Sequence, residues 1–202
     1  VISLKGIFGS PRRLVTDATR RLCNAIAVAG LRVREAFPFA QRLAEKEIPE
    51  VSSGIERDKT DSKPFEANKS DKPTKFVLMN TAGNTNRDLH EPISFSQQCV
   101  MGLIRLLLPP HVDNEEAADY LRTKIGQHDE AIEWAVVRPD NLIDEDRVTA
   151  YEVYASPIRS AIFDAGVTSR INVAHFMADL ITDDDTWNKW KGQMPVIYNK
   201  AS

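Results

Sequence analysis

Two short stretches of the chain hold residue types that could bind and react with a small molecule, and each follows an apolar run. Thr81-Ala82-Gly83 comes directly after Lys75-Phe-Val-Leu-Met-Asn80, and Arg138-Pro139-Asp140-Asn141-Leu142 comes after Ile132-Glu-Trp-Ala-Val-Val137. Small residues let a backbone approach a flat ligand, and the Thr81 hydroxyl can donate a hydrogen bond to it. Pro139 presets a turn. By composition alone, each stretch is as good a turn as a site. The four histidines, His90, His111, His128 and His175, lack metal spacing, so no metal site is expected. His175 reads as a core or half-exposed helix residue. His111 reads as a loop histidine and is the one to test as an acid or base. Asp113, Glu115 and Glu116 sit where a helix begins and complement its dipole rather than form a catalytic carboxylate pair. Asp183-Asp-Asp185 reads as a solvated turn.

These groups need a scaffold, and the periodicity supplies one. Val1 to Arg13, with two glycines, a proline and three basic side chains, suits a loop. Thr16 or Asp17 is the expected cap of a helix carrying Ala18, Leu22, Ala25, Ile26 and Ala29, with Gly30 as its stop. From Glu45 to Lys75, 15 of 31 residues are charged and prolines stand at 49, 64 and 73, which predicts a disordered insertion at 45–75. The runs at Phe76–Met79 and Ile132–Val137 are buried strands, the second stopped by Arg138-Pro139. Ile93 to Leu108 is an apolar helix broken by Pro109-Pro110. A second helix runs from Glu115 to about Ile125, capped by Asp113 or Asn114. A short strand lies at Tyr151–Tyr154, a helix at Val173–Ile181 capped by Asn172, an amphipathic Trp187/Trp190 helix near the end, and a last strand at Met194–Tyr198. Strands alternating with helices predict an α/β fold, a parallel sheet flanked by helices, in one domain over residues 1–202.

Composition narrows the classes further. The 202 residues are 42% hydrophobic and 27% charged, which suits an ordinary globular chain. A net charge of −3 argues against a general nucleic-acid binder. No apolar stretch is long enough to span a bilayer, so no membrane partner is expected. Cys23 and Cys99 read as reduced, buried thiols of a cytoplasmic protein.

The order of three segments carries a resemblance. Phe76–Met79 leading to Thr81-Ala82, then Trp134-Ala-Val-Val-Arg-Pro-Asp-Asn-Leu142, then Ser169-Arg-Ile-Asn-Val-Ala-His-Phe-Met177 resembles the atypical short-chain dehydrogenase/reductase superfamily. More narrowly it is similar to the NmrA-like NAD(P)-binding group that includes biliverdin/flavin reductases. The resemblance implies a Rossmann-like sheet and an NAD(P) cofactor, with NADPH favoured. It also implies an NAD(P)H-dependent oxidoreductase acting on a small carbonyl, quinone or flavin-type substrate. Thr81 would hold the substrate carbonyl or the nicotinamide amide, with Ala82 and Gly83 beside it. Asn114 would meet the ribose, and Val137, Arg138, Pro139, Asp140, Asn141 and Leu142 would pack on the nicotinamide.

Departures from the pattern set the alternatives. No GxGxxG stands among the nine glycines, and Gly6 and Gly9 beside Pro11 do not follow a strand. By order of segments the N-terminal strands and the glycine-rich phosphate loop are absent, so these 202 residues alone are expected to bind NADPH weakly and reduce carbonyls poorly. An uncovered sheet side would favour dye binding or self-association, which leaves a homo-oligomer open. Pro110 and Asn114 stand where the family's Tyr-x-x-x-Lys would place its tyrosine and lysine. A non-catalytic dinucleotide sensor or interaction module, or a truncated inactive product, is therefore the competing expectation.

Overall fold

The computed structural model describes residues 13–44, 72–91 and 94–200, with 31–44 as backbone only. The loop expected at 1–13, except Arg13, and most of the charged insertion lie outside the described residues. Thr74 and Lys75, at the end of that insertion, are in fact the first residues of a strand.

Along the chain come helix α1 (Leu14–Ala44), strand β1 (Thr74–Met79), helix α2 (Phe95–Leu107), helix α3 (Pro109–Tyr120) and strand β2 (Ile132–Pro139). Strands β3 (Asn141–Ile143), β4 (Tyr151–Tyr154) and β5 (Val167–Ser169) follow, then helices α4 (Arg170–Thr182) and α5 (Asp184–Trp190), and strand β6 (Val196–Asn199). The main sheet has the order β1-β2-β6-β4, and β3 pairs with β5 in a separate ribbon. β1, β2 and β6 are parallel, with Phe76 facing Trp134 and Leu78 facing Val136. The sheet is mixed rather than all parallel, because β4 runs antiparallel to β6.

The apolar run of β2 is continuous because both of its faces are covered. Ile132, Trp134 and Val136 point to one side, where Cys23 of α1 and Ala118 of α3 pack, with Leu121 just beyond α3. Ala135 and Val137 point to the other, against Val173, Phe176 and Leu180 of α4 and both tryptophans of α5. The result is a Rossmann-like α/β/α sandwich. Trp187 is anchored further by its ring N–H, which donates to Glu133 at 2.6 Å.

Several local expectations need correction. α1 starts at Leu14, before either expected cap, and its first turn is capped from elsewhere. Asp113 accepts from the amides of Val15 and Thr16, both at 2.8 Å, and Thr16 donates its hydroxyl to the Asp113 carbonyl. Gly30 does not end the helix, and a methyl there would stand at an ordinary 4.0 Å from Ala131. Pro109-Pro110 ends α2 but also opens α3, since a proline in the first turn lacks only an N–H that would be unpaired anyway. Asp113 and Asn114 therefore lie inside a helix. α4 is capped by Ser169, which accepts from the Asn172 amide, while Asn172 itself is buried and bonds Thr149 and Asn199. Asp183 caps α5 instead of forming a free turn. Cys23 is buried, and that burial pushes its thiol pKa up, but Cys99 is exposed. Among the described residues no group of side chains suits a metal ion, and no helix is long and apolar enough to cross a membrane.

Candidate functional site

Parallel pairing of β1 and β2 brings both of their carboxyl ends to one edge of the sheet, where ligands bind in open α/β folds. The two turns are stitched together past the strand ends. Asn80 donates its amide to the Val137 carbonyl and Ala82 to that of Pro139, both at 2.8 Å. The Asn80 side chain accepts from the Thr81 amide at 2.9 Å and donates to the Asn114 carbonyl at 2.8 Å, tying the turn to α3. Thr81 Oγ1 accepts from the Gly83 amide at 3.3 Å, and among the described residues the Thr81 hydroxyl proton has no acceptor.

Two clefts flank this turn and share Gly83. The first, about 320 Å³, is lined by Thr81 and Gly83, by Met101, Ile104 and His111 from α2 and α3, by Asp140 and Asn141, and by Ala161, Ile162 and Ala165. The second, about 500 Å³, lies between Ala82, Thr85 and Glu91 on one side and Pro157 to Ser160 with Phe163 and Asp164 on the other, with Ser94 and Gln97 completing it. Burial pushes the Asp140 carboxyl pKa up, only partly offset by the Gly166 amide, which donates to it at 2.8 Å.

The structure divides the expected site residues. Thr81, Gly83, Asp140 and Asn141 meet in the first cleft, and Ala82 lines the second. Val137 lies in the buried strand β2 as expected, Arg138 and Pro139 continue that strand rather than form a turn, and Leu142 packs against the α4 side of the core. Arg138 is fully buried and points inward. Its guanidinium donates to Glu91 at 2.7 Å and to the carbonyls of Asn84, Met194 and Ala155. That network leaves no donor for a cofactor. Asn114 does not line either cleft; its backbone carbonyl anchors Asn80.

His111 sits in the first turn of α3 and lines the first cleft, not a loop. The Pro-Pro pair was the available signal, because a helix opened by prolines puts its third residue in the first turn. Its Nε2 lies 3.4 Å from Glu115 Oε1, and Glu115 is held by Arg105 through two bonds of 2.8 Å. Burial pushes the Glu115 carboxyl up, but His111 and Arg105 outweigh it and bring its pKa to about 2. His175 lies on the exposed side of α4, bonded to Tyr151 at 2.9 Å.

The profile of the NAD(P)H-binding family matches residues 48–184. The chain belongs to that family. Similar solved structures include a putative NAD-dependent epimerase/dehydratase from Bacillus halodurans (19% identity, 63% of this chain and 47% of that one, TM-score 0.41). Others are a wide-type short-chain dehydrogenase/reductase from Veillonella parvula in complex with NADP (16%, 62% and 50%, TM-score 0.42) and an anaerobillin reductase from Escherichia coli (14%, 64% and 53%, TM-score 0.42). The chain spans about half the length of these structures. No match was found among curated proteins.

The described residues of this NAD(P)H-binding chain fit one end of a dinucleotide. Thr81 and Asn141 offer neutral hydrogen-bonding groups beside Met101 and Ile104, a setting for an uncharged nicotinamide ring and its amide. A pyrophosphate finds no such partner there. Among the cleft-lining residues, Arg159 is paired with Asp164 at 2.7 Å, and Asp140 and Glu91 add carboxylates.

Proposed function

We propose that this chain carries the nicotinamide side of an NAD(P)H-dependent oxidoreductase of the atypical short-chain, NmrA-like group. Its substrate would be a small carbonyl, quinone or flavin-type compound. The observation that carries the reading is the Thr81 hydroxyl, with its proton free, at the end of β1 in a cleft that α2 covers with Met101 and Ile104.

A bound nicotinamide would supply the hydride. The protein's part is orientation and exclusion of water. Thr81 donates to the substrate carbonyl or to the nicotinamide amide, and Asn141 offers a second polar contact. Met101 and Ile104 form the apolar wall. The second cleft opens onto the same point at Gly83 and is large enough for a flat substrate. Asn114, through Asn80, holds Thr81 in place. A non-catalytic dinucleotide sensor is the second reading, favoured by Pro110 and Asn114 standing where a tyrosine and lysine would serve.

NADPH titration followed by calorimetry, beside NADPH oxidation with a panel of carbonyls, quinones and flavins, tests both. The Thr81 cleft itself is lined by no lysine or arginine, so the affinity measured reports what residues outside that cleft supply to the phosphates. Oxidation above background at millimolar NADPH supports the enzyme, and binding without oxidation favours the sensor. Thr81→Val should lower turnover about tenfold while changing affinity little, as expected when one transition-state hydrogen bond of about 1.4 kcal/mol is lost. Equal losses in both would refute the role of Thr81.

A further inference from the structure

We propose that His111, oriented by the Arg105-anchored carboxylate of Glu115, is the proton donor to the substrate oxygen in the Thr81 cleft. This rests on the oxidoreductase reading and adds the group that the missing tyrosine leaves unassigned.

The position comes first. His111 and Thr81 line the same cleft, and a methyl added at Gly83 would stand 3.7 Å from His111 Cε1. The ring therefore lies against the turn at which the two clefts meet. The second observation is the state of the ring. Its Nε2 is buried and has no hydrogen-bond partner among the described residues; Glu115 Oε1 stands 3.4 Å from it. A packing histidine normally satisfies a buried nitrogen, because leaving it unpaired costs about 1–3 kcal/mol. A long contact to a carboxylate is what an acid/base histidine shows before its ligand tightens the site. The third is the support. Arg105 grips Glu115 with both Nε and Nη2, which holds the carboxylate beside the ring. This is base-and-orienter geometry, built from three side chains on α2 and α3.

The step balances as a two-electron reduction. A bound nicotinamide would supply a hydride to the carbonyl carbon and be left oxidised; as the C=O π pair moves to oxygen, that oxygen takes a proton from the His111 ring. The ring regains that proton from solvent, and the carbonyl becomes an alcohol. The charged and titratable groups that bear on His111 are Glu115 on its own helix, Arg105 on α2 acting through Glu115, and Asp140, which lines the same cleft.

The test uses the full chain and two readouts. In imidazole NMR spectra, NADP⁺ with menadione should move the His111 ring resonances and leave those of His128 and His175 in place. At millimolar NADPH, His111→Gln should lower kcat by about 10²–10⁴-fold with KM within threefold, and should abolish the alkaline limb of the kcat profile. Glu115→Gln should lower kcat less and keep that limb. A structural histidine would instead lower the melting temperature and leave the profile's shape unchanged. His111→Gln with wild-type kcat and profile, or a His111 resonance that ignores the ligands, would overturn this assignment alone. A wild-type chain that oxidises no NADPH with any acceptor would overturn the oxidoreductase reading and the proton transfer together.

Discussion

Replacing Arg138 by methionine separates a structural arginine from a cofactor-binding one. The wild-type guanidinium is fully buried and bonded to Glu91, whose side chain is 3% exposed. Arg138→Met keeps a long apolar stem in the strand but leaves that carboxylate without its countercharge. It also orphans the carbonyls of Met194, Asn84 and Ala155. Breaking one partner of a buried pair costs about 3–5 kcal/mol. Glu91 keeps the Asn86 amide as a donor at 2.8 Å, so the lower half of that range is expected. Against a typical total of about 5–15 kcal/mol, the loss is large. Urea melts followed by near-ultraviolet circular dichroism measure it directly. Adding Glu91→Gln removes the unpaired charge and should recover about 1–2 kcal/mol, a coupling that a double-mutant cycle isolates. An Arg138→Met chain within about 1 kcal/mol of wild type, yet weakened toward NADPH, would show that the arginine faces the ligand after all.

Acid should loosen the α2–α3 contact. The Glu115 carboxyl falls from an ordinary 4.5 to about 2 in the fold, so its contribution is complete above about pH 5 and is lost as pH drops toward 2. With Arg105 43% exposed, solvent screening reduces that contribution to about 1–2 kcal/mol; Glu115→Gln should flatten the stability profile in this window, and an unchanged profile would refute it. Two glycines should respond differently to a methyl. At Gly166 it would run into the buried Tyr198 ring, costing about 1–3 kcal/mol in thermal or urea melts, while at Gly83 the nearest contacts are an ordinary 3.7 Å and the fold should hold.

Much of the scaffold was legible in the sequence, because burial on both faces writes a strand as an unbroken apolar run. β1 and β2 show this, and their adjacency follows from the helices between them. The cleft was legible at Thr81–Gly83 and Asp140–Asn141 for the same reason, as polar or small residues directly after such runs. Arg138 misled because a charged residue beside proline looks like a turn, whereas its partner Glu91 lies 47 positions away. The start of α1 was hidden likewise, since its cap is not a neighbour. His111 was visible as a residue, but its place in the cleft depended on Pro109-Pro110 opening a helix as well as closing one.

The cap on α1 also has a meaning in time. Asp113 lies 97 residues after Thr16, the amide it satisfies. On a ribosome adding about 5–20 residues per second, the first turn of α1 waits roughly 5–20 s for that carboxylate to be made. Until then the nascent helix exposes its unpaired amides and the Cys23 face that later meets α3 and β2. Helix α1 is thus made before β1, α2 and α3 and finished late, and a holdase that binds apolar nascent segments has an opportunity there.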